Sequence, residues 1–115
     1  MIRCLISLDE AGCLRGYAAS GHALSPAAGR REGADAGPGP DLVCAAVTTL
    51  LRTASRMVYR RSELAVRGEA PRPGEMLLEL GPVPEGMRAW LQGVTDFLLA
   101  GLRDIREEYP QSLQM

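Results

Sequence analysis

At 115 residues the chain fits one domain, long enough to bury a two-layer core, and with aromatics at only 4% that core must come from Leu, Val, Ile, Ala and Met. Its 13 basic residues, all arginine, stand against 14 acidic ones for a net charge of −1, which excludes a global attraction to nucleic acid or anionic membrane. No apolar run approaches the ~20 residues of a membrane span, Ile2–Leu8 is too short and interrupted for a signal peptide, and three cysteines with one histidine match no zinc spacing, so a cytoplasmic protein with reduced thiols and no metal or cofactor is expected.

Ile2 to Leu8 alternates apolar and polar, placing Ile2, Cys4, Ile6 and Leu8 on one face of a half-buried strand. Asp9-Glu10-Ala11-Gly12 is a turn, and Cys13 to Ser20 returns as a second strand. Its register stays open, with either Leu14/Gly16/Ala18 or Cys13/Tyr17/Ala19 facing inward. Leu24 to Pro40 is rich in Gly, Ala and Pro, has no period, and is expected to be a mobile loop. Asp41 to about Tyr59 reads as a helix, with Val43, Ala46, Val47, Leu50, Ala54 and Met57 on one stripe and Asp41 as its N-cap. Arg52, Arg56 and Arg60 follow one another at every fourth position and read as a solvated face in preference to an RNA-contacting stripe. Ser62 to Glu69 and Glu75 to Leu80 are the third and fourth strands, the former with Leu64 and Val66 inward. Glu85 to about Glu108 forms a second helix with the stripe Met87, Trp90, Leu91, Val94, Leu98, Leu102 and Ile105, and its Gly93 and Gly101 suggest a close-packed dimer contact. The order ββαββα predicts a two-layer α+β domain over residues 1–115, a four-stranded antiparallel-rich sheet with two helices on one face.

Two segments carry chemistry. Gly21-His22-Ala23 puts the only histidine in a turn after a strand, and Asp41-Leu42-Val43-Cys44-Ala45-Ala46-Val47-Thr48 puts a cysteine in the opening of a helix. A helix N-terminus favours a thiolate, and a nearby imidazole can take the thiol proton and return it to a leaving group. Each residue also has an ordinary reading. Cys44 can serve as a small buried hydrophobe, His22 as a turn residue, Asp41 as a helix cap rather than a group orienting His22, and Thr48 as packing. Cys44 nevertheless falls off the apolar stripe, in line with Thr48 and Ser55. No resolving cysteine lies near Cys44 in sequence, which disfavours a thiol oxidoreductase.

With a Gly-His-Ala turn, a loop and an Asp-Leu-Val-Cys-Ala-Ala helix start, followed by two strands and a long helix ending in Glu107-Glu108-Tyr109, the chain resembles the ribosomal-processing cysteine protease (Prp) family of bacteria. It departs from that pattern in the longer Leu24–Pro40 loop and in Thr48, where serine is common. The resemblance implies a homodimeric cysteine endopeptidase that removes a short N-terminal extension from a large-subunit ribosomal protein. It implies His22 and Cys44 as catalytic residues, with Gly21, Asp41 and Thr48 supporting them. The amides of Val43, Cys44 and Ala45 would receive the oxyanion. Direct nucleic-acid contact is not expected. The alternative is a non-catalytic ribosome-assembly or binding module on the same fold.

Overall fold

The structure, a computed structural model, describes residues 1–21, 38–71 and 74–115. Its elements are β1 (Ile2–Leu8), β2 (Leu14–Ser20), α1 (Pro38–Tyr59), β3 (Val66–Glu69), β4 (Glu75–Leu80), α2 (Arg88–Glu108, entered through a 3₁₀ turn at Glu85–Met87) and β5 (Leu113–Gln114). The five strands form one mixed sheet in the order β3-β4-β2-β1-β5, antiparallel except where β5 runs parallel to β1. The expected α+β class holds, with a fifth strand that the ββαββα order lacks.

The hairpin between β1 and β2 is set by Asp9, whose Oδ1 accepts from the amides of Ala11 and Cys13, both at 2.9 Å. Beyond it the ladder pairs Leu8 with Leu14 but Ser7 with Gly16, so Arg15 is an extra residue that bulges outward. That bulge resolves the open register: Leu14 faces inward on one side of it, Tyr17 and Ala19 on the other. The Leu14 amide donates to Thr95 Oγ1 (3.0 Å), which in turn donates to the Leu91 carbonyl (2.7 Å). Thr95 is therefore a fully buried polar residue with both hydrogen-bonding roles filled, on a helix stripe read as wholly apolar.

Three boundaries differ from expectation. First, α1 begins at Pro38, so Pro38–Pro40 belong to the helix rather than the loop, and Asp41 lies within the first turn instead of capping it. Proline is tolerated there because first-turn amides have no helical partner. Residues 24–37 of the expected loop lie outside the described residues. Second, β3 spans only Val66–Glu69. Leu64 is buried, but from a turn in which its amide donates to the Arg61 carbonyl (3.0 Å). Third, after Pro110 ends α2 the chain turns, the Ile2 amide donates to Ser112 O (2.9 Å), and Leu113 inserts into the core.

The core lies between the inner sheet face (Ile2, Cys4, Tyr17, Ala19, Leu78, Leu80) and the two helices, with Val43, Val47, Leu51 and Val58 from α1 and Leu91, Leu98 and Leu102 from α2. Each fully buried Val or Leu contributes about 1.5–3 kcal/mol relative to exposure. Gly101 admits α1: a Cβ there would stand 2.9 Å from Leu50 Cδ1. It serves the packing of the two helices within the chain. Gly93 has open space around it.

Candidate active site

Gly21 follows β2 at φ +149°, a conformation that L side chains rarely adopt, and its amide donates to Gly74 O (3.0 Å). A Cβ there would stand 2.6 Å from Met1 O and 2.8 Å from Ile2 Cα, so the turn that leads to His22 runs directly over the start of β1. His22 itself lies outside the described residues, as does the side chain of Asp41.

In α1, Val43 is buried in the core, Cys44 is half-buried, and Ala45 is exposed. The Cys44 side chain thus leaves the core at the boundary with solvent, where a nucleophile is accessible without being fully hydrated. Its Sγ stands 3.9 Å from Thr48 Oγ1, one turn along the same ridge, so the hydroxyl expected as part of the site wall is the sulfur's polar neighbour. Because α1 starts at Pro38, the amides of Val43, Cys44 and Ala45 lie past the four unpaired amides of the helix start. Among the described residues no group of His, Cys, Asp and Glu is placed to hold a metal ion.

A contact not anticipated from sequence ties the two halves of this region together. The Tyr17 hydroxyl of β2 lies 2.6 Å from Ser55 Oγ of α1, which donates to the Leu51 carbonyl (2.8 Å). Burial pushes the Tyr17 phenol up, keeping it a protonated donor. The strand that runs into Gly21-His22 is thereby fixed against the helix that carries Cys44. The available signal was Ser55 sharing the off-core face with Cys44; what hid it was the open register of Tyr17.

The other thiols are placed very differently. Cys4 is 1% exposed, and burial pushes its thiol up to about 11. Cys13 is 2% exposed, its thiol raised by burial and then by the Asp9 carboxylate, and its Sγ lies 3.3 Å from Gln92 Oε1. Brief iodoacetamide treatment at neutral pH, read by peptide mapping, is expected to label Cys44 at least about tenfold faster than either, since the reactive form is an accessible thiolate. Equal labelling of the three would contradict this placement.

The family model for cysteine protease Prp matches residues 1–114. No curated protein matches the sequence. Among solved structures, the essential ribosomal processing protease Prp from S. aureus in complex with a substrate peptide superposes with a TM-score of 0.71 at 16% identity, covering 99% of this chain and 96% of that one. The S. aureus protease with a covalently linked product peptide gives 0.69 at 16%, with the same coverage. A Streptococcus mutans protein gives 0.70 at 22%, covering 99% of this chain and 90% of that one. At such identities the structural likeness establishes the shared fold. The sequence match over nearly the whole chain establishes more: this protein belongs to the cysteine protease Prp family.

Proposed function

We propose that the protein is a cysteine endopeptidase of ribosome maturation, removing a short N-terminal extension from a large-subunit ribosomal protein in the cytoplasm. The observation that carries the reading is the family match over residues 1–114 joined to a half-buried Cys44 on the off-core ridge of α1. The S. aureus relative, with its substrate peptide and its covalently linked product peptide, supports the peptide substrate and the covalent course. No described helix is long and apolar enough to cross a membrane.

In this mechanism His22 takes the proton from the Cys44 thiol, and the thiolate attacks the carbonyl carbon of the scissile peptide. The tetrahedral intermediate collapses with transfer of the His22 proton to the leaving amine, forming a thioester on Cys44. His22 then takes a proton from water, whose oxygen attacks the thioester carbonyl and releases the carboxylate product and the thiol. The Cys44 thiol needs no metal for these steps. Gly21 sets the turn that presents His22, Asp41 orients the imidazole, and Thr48 forms the wall beside the sulfur. For Val43 to Ala45 to donate to the oxyanion, the first turn of α1 opens on substrate binding. Opening Pro38 to Asp41 would free the amides of Val43, Cys44 and Ala45, which donate to the carbonyls of that turn. The test is incubation of the purified protein with the ribosomal protein in extended and extension-free forms. Cleavage of the extended form alone, at one bond, supports the reading; binding without cleavage favours the assembly-module alternative.

The homodimer is assigned to the groove between α1 and α2, a volume of about 790 Å³ lined by Leu50, Met57, Trp90, Val94 and Phe97. Phe97 is 73% exposed beside it, and open space at Gly93 leaves room for a partner's side chain. An aromatic knob next to an apolar groove suits a two-fold contact in which each copy fills the other. Phe97→Glu is expected to shift the sedimentation profile from dimer to monomer, weakening association about 100-fold or more. A wild-type monomer, or a variant as dimeric as wild type, would contradict this interface.

A further inference from the structure

The row that begins at Cys44 does not end at Thr48. Along α1 every fourth residue is Cys44, Thr48, Arg52 and Arg56, about 6 Å apart along the axis, and Arg60 extends the ridge in the turn just past the helix, where its amide donates to the Arg56 carbonyl (3.1 Å). All three arginines are exposed. None takes part in an ion pair among the described residues, where Arg67 and Arg88 hold the pairs that do form. From Leu42 to Tyr59 the helix carries no Asp or Glu, so no carboxylate of that stretch neutralises the ridge. The neighbouring Arg61 is engaged elsewhere, its guanidinium 4.5 Å from the Trp90 ring centroid.

We infer that Arg52, Arg56 and Arg60 form a phosphate-binding ridge that holds an RNA backbone next to the Cys44 site. This replaces the expectation of a merely solvated face without nucleic-acid contact. Three guanidinium forks at even spacing match repeated phosphates, which arginine binds in bidentate fashion. A protein partner is the poorer fit. The row itself, Thr48 to Arg60, carries no aromatic or aliphatic side chain, and the apolar groove beside it, lined by Thr49, Thr53 and Met57, is the one assigned to the second copy. Exposed Tyr59 has its hydroxyl engaged by the Gly68 amide (3.1 Å), so the row lacks the aromatic or aliphatic anchor on which protein interfaces depend. The choice of RNA rests on the ribosomal-protein reading, because such a substrate reaches the enzyme among RNA phosphates. The net charge of −1 keeps the rest of the molecule from competing for RNA, which leaves binding local to the ridge.

The experiment measures fluorescence anisotropy of a short labelled single-stranded RNA against the intact protein at several salt concentrations. Three releasable phosphate contacts give a log–log salt slope of about −2, so affinity should fall about 20-fold between 50 and 200 mM salt. The triple variant R52Q/R56Q/R60Q should lose that slope and at least about tenfold in low-salt affinity, with an unchanged melting midpoint and unchanged cleavage of a short peptide substrate. Replacement of the same three by lysine should restore the slope. Changing Arg3, Arg103 and Arg106 to Gln, an equal loss of charge elsewhere, should leave binding intact. The inference is overturned if the triple Gln variant binds RNA like wild type, if the distant variant loses as much, or if polyglutamate binds as tightly as RNA. Since binding is read without cleavage, its failure leaves the peptidase reading standing, and loss of cleavage leaves the ridge standing.

Discussion

Cys44→Ala is expected to reduce cleavage of an extended ribosomal-protein substrate by at least about 10³-fold while changing substrate affinity by less than about threefold. The thiol supplies the bond-forming atom and very little contact area, and alanine suits both the helix and the half-buried position. Serine at this position is expected to do nearly as badly, because a hydroxyl gives up its proton far less readily than a thiol and the thiolate is the nucleophile of the step. His22→Ala should be almost as severe, and the double variant no worse than Cys44→Ala, since two groups that act on one proton fail together. Initial rates with the three variants, alongside equilibrium binding, read both arms. A double variant much slower than either single would mean that the two residues act independently.

Gly21→Ala should cost about 2–4 kcal/mol of folding stability and lower the melting midpoint by about 10 °C. Two effects add. The φ of +149° is strained for any L side chain, and the added methyl meets backbone atoms of Met1 and Ile2 rather than a side chain that can swing aside. Ile2 has little freedom to yield: it is fully buried, and its amide is committed to Ser112. Relief must come from the turn itself, which displaces His22, so cleavage should fall further than the stability loss explains. A melting midpoint within about 2 °C of wild type would show that this close approach is not maintained in solution.

Both expectations rest on residues whose types were conspicuous in the sequence, yet the geometry behind them was only partly legible there. Leu8, expected on the inner face of β1, is exposed where the ladder shifts register, but β1 as far as Ile6 and α2 follow from periodicity, because each has one face committed to the core. β2 does not, because Arg15 bulges out and shifts the inward parity between Leu14 and Tyr17; no single alternation describes such a strand. β3 is shorter than its sequence pattern suggests, since a buried Leu64 looks the same from a turn as from a strand. β5, two residues long, has no period at all, and only its register against Ile2 and Arg3 defines it. Thr95 escaped notice because polarity marks a residue as exposed unless its partners, the Leu14 amide and the Leu91 carbonyl, are known. At the candidate site, the off-core position of Cys44 was visible from helical spacing. The start of α1 was not: two prolines around a glycine read as loop, whereas the first turn of a helix tolerates them.

A covalent acyl-enzyme between Cys44 and the ribosomal-protein extension would be caught by acid-quenched intact-mass spectrometry during turnover of the extended substrate, with peptide mapping of any adduct. A transient adduct with the mass of the released N-terminal segment is expected, located on Cys44 and absent from Cys44→Ala, together with a single new N-terminus on the ribosomal protein. An adduct mapped to Cys4 or Cys13, or continued cleavage by Cys44→Ala, would contradict it.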